Sequence, residues 1–162
     1  MNSFRAAPLT EDEQARRAGQ LLLYLSLIPV EYGRGVKSGN VISDLEFQEA
    51  QTFLEGAKAA FTDLRLVLST LDPETAGSAA AALDDLDAKV NATLKHEIVA
   101  PADDVTSLAS AISSQLRDTV PKEWTRPGSD ADFDVIASLL DEMENAIAAK
   151  RYSQAESARL EA

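Results

Sequence analysis

The sequence predicts an all-α protein, an antiparallel bundle of four to five long helices. Three observations predict it. Apolar residues recur at three- and four-residue steps in successive segments, the spacing of one face of a helix. Alanine and leucine carry most of the 45% hydrophobic content and aromatics contribute only 6%, a composition suited to helices more than to sheets. The seven glycines and six prolines gather at a few places, which leaves long uninterrupted stretches between them.

The first helix is expected to begin after Thr10, with Glu13 completing a capping box and Glu11 and Asp12 at the positive end of the helix dipole. Ala15, Ala18, Leu22, Leu25 and Ile28 mark its buried face. Pro29 falls inside this pattern and predicts a kink, because proline lacks the backbone donor and crowds the preceding turn. Residues 33–40, Gly-Arg-Gly-Val-Lys-Ser-Gly-Asn, read as the closing loop. The second helix has the clearest signal. Ser43 and Glu46 form a second capping-box pattern, and Phe47, Ala50, Leu54, Ala57, Phe61, Leu64, Leu68 and Leu71 make an unbroken seam. At about 1.5 Å per residue this helix spans roughly 40 Å.

Asp72-Pro73 reads as a stop and restart, with Asp72 as cap and Pro73 in the first turn, where its missing donor costs nothing. The third helix then carries Ala79, Leu83, Leu86, Val90 and Leu94. The fourth starts near Pro101 and carries Val105, Leu108, Ile112 and Leu116. In the long connection that follows, Trp124 is the single tryptophan and is expected to anchor the segment onto the bundle. A fifth helix is expected through Phe133, Ile136, Leu140, Met143 and Ile147. No strand pattern competes with these assignments.

Composition narrows the function. The net charge of −12 leaves no basic stripe for nucleic acid or an anionic membrane surface, and it permits cationic partners, metal ions among them. The absence of cysteine removes disulfides, thiolate ligands and thioether-linked haem. The longest apolar stretch, Leu21 to Val30, is too short for a membrane span, so a soluble chain is expected. Its ends read as the boundaries of a fragment, with residues 1–162 a single helical-bundle domain of a longer protein.

The residues with chemical potential are few. His96 is the sole histidine and Thr93 stands three residues before it, so the Glu-x-x-His pairs of a ferritin-type di-iron centre are missing. Its place near a helix end suits a polar terminal residue better than a phosphotransfer site. Asp130, Asp132 and Asp134 imitate the start of a calcium loop, but Val135 occupies the glycine position. No nucleophile–base pair or phosphate-binding loop is present, and no enzyme is expected. One acidic group differs from the rest. Glu46 and Glu49 share a helix face, Asp44 precedes them, and Glu31-Tyr32 lies across a short loop. Carboxylates beside a phenol suit hard cations, ferric iron included. Spacing alone favours the capping box and solvated acids over a metal site.

Residues 30–43, Val-Glu-Tyr-Gly-Arg-Gly-Val-Lys-Ser-Gly-Asn-Val-Ile-Ser, followed by Leu45-Glu46-Phe47-Gln48-Glu49-Ala50, resemble the extracytoplasmic N-terminal region of bacterial high-affinity iron permeases. The pattern there is a hydrophobic residue, Glu/Asp and Tyr, then Ala/Gly-Val, a glycine turn, Val, and Glu-x-Glu-Tyr/Phe. Residues 149–162 are similar to the stretch that leads toward the membrane permease in that family. The Arg-Glu-Gly-Leu-Glu type motif of the membrane part is absent, and so is any haem-attachment site of the kind some relatives carry. The resemblance implies a periplasmic accessory domain that captures, delivers or senses ferric or ferrous iron. It implies Glu31, Tyr32, Asp44, Glu46 and Glu49 as ligands. It implies the permease domain of the same chain and a periplasmic iron-handling protein as partners, with an oligomer allowed. The alternative is a helical sensory or scaffold domain that binds no metal and makes ligand or protein contacts.

Overall fold

The computed structural model describes residues 8–125. Contacts divide the chain into two units, Met1–Arg126 and Pro127–Ala162, and the described residues all belong to the first. Four helices make up that unit: α1 (Glu11–Gly35), α2 (Asp44–Leu71), α3 (Pro73–Leu94) and α4 (Ala102–Thr119). A short 3-10 turn, Lys122–Thr125, follows α4. The fifth helix expected from Phe133 onward lies outside the described residues, as does the aspartate-rich segment before it.

Each helix packs on its neighbours in a closed ring, α1 on α2, α2 on α3, α3 on α4 and α4 back on α1. The cross-links fix the antiparallel sense. Between α1 and α2, Arg17 pairs with Asp63 near one end, Tyr24 stacks on Phe53 in the middle, and Gly35 meets Phe47 at the other end. Between α2 and α3, Lys58 pairs with Asp87, Gln51 bonds Asn91, and Asp44 meets His96. The fold is the helical bundle expected.

The seams of the sequence are the core of the structure. Phe47, Ala50, Leu54, Ala57, Leu64 and Leu68 of α2 are all buried, as are Leu21, Leu25 and Ile28 of α1 and Ile112 and Leu116 of α4. Leu71 ends its seam half exposed at the turn into α3. Thr93, not Leu94, completes the buried face of α3. Helix α1 runs as one element through Pro29, whose missing N–H leaves the Leu25 carbonyl without its usual partner. Trp124 is buried and its 3-10 turn packs on α1, as expected for an anchor.

The ends follow local chemistry. Thr10 and Glu13 form the full capping box, and Asp72 accepts the Glu74 and Thr75 amides at the start of α3. The α1–α2 connection differs from the expected loop. It is a minimal hairpin, Val36–Lys37 paired antiparallel with Asn40–Val41. Ser38 (φ 51°) and Gly39 (φ 74°) both take the left-handed conformation a tight two-residue hairpin turn demands. The end of α3 closes in a Schellman arrangement, with the Glu97 amide on the Ala92 carbonyl and the His96 amide on that of Thr93. His96 occupies the left-handed position usually given to glycine, at φ 57°.

Candidate metal centre

The hairpin decides the site. It returns the chain so that the first turn of α2 lies against the last turns of α1, and Gly35 makes the approach close enough. A β-carbon at Gly35 would stand 2.9 Å from the Phe47 ring, so only glycine lets the ring seat there. Phe47 is fully buried and meets the Tyr32 ring edge to face at 5.1 Å. Phe47 is thus clamped between Gly35 and Tyr32, which holds Glu46 and Glu49 over Glu31.

Carboxylate oxygens of Glu31, Glu46 and Glu49 lie within 4.8 Å of one another. Three acids from two helices therefore converge at one end of the bundle. Glu31 is 8% exposed, Glu46 is partly covered and Glu49 faces solvent. A buried carboxylate requires compensation. Arg34, one turn along α1, places Nη1 at 3.0 and 2.8 Å from the two Glu31 oxygens. Glu46 supplies the other contact. A carboxyl–carboxylate hydrogen bond with Glu31 raises the Glu46 pKa, reinforced by desolvation and by the charges of Glu31 and Glu49, and opposed by Arg34.

This arrangement corrects the second capping box. Ser43 stands at the N-cap of α2 but its side chain makes no capping bond. Glu46 is turned to Glu31 instead.

The other two expected ligands are held elsewhere. The Tyr32 hydroxyl is buried, 2.7 Å from Thr93 Oγ1 and donating to the Ala100 carbonyl at 2.9 Å. Burial raises its pKa, against the lowering effect of these bonds, so the neutral phenol is favoured over the phenolate a ferric ligand requires. Tyr32 ties α1 to the connection between α3 and α4 and supports the site from beneath. Asp44 Oδ1 lies 3.1 Å from His96 Nε2 and is not one of the three converging acids. Arg34 lies within the motif of residues 30–43 but is not among the ligands expected from it. Its signal was the three-residue step from Glu31, which places the two on one helix face.

Hard cations take oxygen ligands at about 2.0–2.6 Å. Oxygens within 4.8 Å of one another reach such an ion with small side-chain rotations. The donor set is all oxygen and carries up to three negative charges, which suits a hard cation and gives no fit to a soft, thiophilic metal. Residues 8–123 match the model of a family described as the iron permease-associated 4-helix bundle domain. No curated protein and no solved structure matches.

Proposed function

The chain belongs to the iron permease-associated 4-helix bundle domain family, and on that premise we propose that the bundle captures iron for the permease at Glu31, Glu46 and Glu49. The observation that carries this reading is the convergence of three carboxylates from α1 and α2, one of them nine-tenths buried. Such a site costs electrostatic repulsion, visible in the raised pKa of Glu46, and a cation relieves it. Three monodentate acids leave further coordination positions to water or to the donors of an acceptor, which suits capture followed by release.

In this reading Tyr32 and Asp44 position the site and are not ligands. The bundle works at the periplasmic face, beside the permease part of the same protein, and takes iron from solution or from a periplasmic iron-handling protein. Among the described residues no helix is long and apolar enough to cross a membrane, in keeping with an accessory role. The domain has no catalytic part to play.

Iron that binds the native state raises its melting temperature by mass action. Ferrous iron, added anaerobically, is expected to stabilise the chain, and the Glu46→Gln/Glu49→Gln variant is expected to show no such rise. Equal shifts in both proteins would remove these acids from the site.

One observation favours the scaffold reading. Ile42, Leu45 and Ile98 are exposed on the segments around the carboxylates. If that surface serves only as a protein contact, Leu45→Ser weakens association with the permease and the wild type shows no iron-dependent shift.

A further inference from the structure

We propose that Arg34 is a built-in counter-cation that iron displaces, so that capture is an exchange of one positive group for another. The inference rests on the carboxylate reading above and concerns how that site is regulated. Glu31 is the most deeply placed of the three acids, and Arg34 Nη1 contacts both of its oxygens. An ion ligated by Glu31 competes for the same lone pairs. The two partners differ in freedom: the Glu31 side chain is 10% exposed, whereas that of Arg34 is 62% exposed. Glu31 is held by the packing of α1, while the guanidinium, on a mostly exposed side chain, can swing into water with little loss of buried surface. The family match, which is independent of this geometry, points to iron as the arriving cation.

The exchange has two consequences. It keeps a nearly buried carboxylate compensated when no iron is present, so the bundle stays folded in the empty state. It also sets a threshold, because a cation must outcompete the guanidinium. A strongly hydrated divalent ion such as magnesium gives up its water reluctantly and gains least from the swap. Arg34 is a positioning and selectivity residue and never touches the cargo.

The test is calorimetric titration of the full 162-residue chain with ferrous iron under anaerobic conditions, repeated with magnesium. Wild type, Arg34→Gln and Arg34→Lys are compared, with folding checked by circular dichroism. A part-exposed ion pair is worth at most about 1 kcal/mol, which converts to an affinity change of about five-fold. Arg34→Gln is expected to bind iron about five-fold more tightly and to lose part of its discrimination against magnesium. Arg34→Lys, which keeps the charge, is expected to stay near wild type. Unchanged or weaker iron binding by Arg34→Gln, with the Glu46→Gln/Glu49→Gln variant still inactive, overturns the role of Arg34 and leaves the carboxylate site standing. Absence of binding by both wild type and Arg34→Gln overturns the carboxylate site and this inference with it.

Discussion

Glu31 sits where water cannot solvate it well, and its neighbours show how the fold tolerates that. Arg34 balances its charge and Glu46 gives up part of its acidity to it. The consequence for pH has a definite sign. The Glu46 pKa is raised in the folded state, so the native protein holds a proton that the unfolded chain has released. Stability therefore falls as pH rises from the ordinary glutamate value through the raised one. Glu46→Gln should flatten that part of the melting-temperature profile, and an unchanged slope would remove Glu46 as its source. Iron needs the deprotonated carboxyl, so its affinity is expected to rise with pH over the same window. Tyr32→Phe tests the support beneath the site. It removes the hydroxyl shared by Thr93 and Ala100 and should cost about 1–2 kcal/mol in urea unfolding. The sequence placed all five candidate residues near one another. It could not separate the three converging acids from Tyr32 and Asp44, because that depends on which way Tyr32 faces once α3 and α4 pack, and on Glu46 having Glu31 opposite it.

At the scale of elements, the site depends on how closely α2 returns onto α1. Gly35→Ala should push Phe47 from its seat and destabilise the bundle by about 1–3 kcal/mol, as overpacking does, and weaken iron binding as well. A thermal melt and an iron titration of the same variant check both. Further from the site, Leu54→Ala should cost about 2–5 kcal/mol with iron affinity unchanged once folding is allowed for. The helix caps respond to acid in the direction opposite to Glu46. Backbone and side-chain bonds from Thr75 lower the Asp72 pKa, and those from Thr10 lower that of Glu13. Their stabilisation is present above the ordinary carboxylate range and is lost as pH falls through the lowered values. The helices were legible because burial at three- and four-residue steps is a property of single segments. The hairpin was not, since two-residue strands carry no alternation, although Ser38-Gly39 between Val-Lys and Asn-Val was a signal for a tight turn. The left-handed His96 was likewise hidden, because the helix terminator there is not a glycine.

For the molecule as a whole, the net charge of −12 now has a local focus. An acidic bundle with three converging carboxylates attracts cations from a distance, toward the place where α1 and α2 meet. The polar cross-links and the core both run the length of the four helices, so residues 8–125 are expected to fold cooperatively when expressed alone, with a single melting transition. The most direct measurement is a calorimetric titration of the whole chain with ferrous and with citrate-chelated ferric iron, using magnesium and calcium as controls. Saturable iron binding at one site, abolished in Glu46→Gln/Glu49→Gln while the fold is retained, is the predicted result. Iron binding no stronger than that of magnesium, or binding that survives the double substitution, would contradict it.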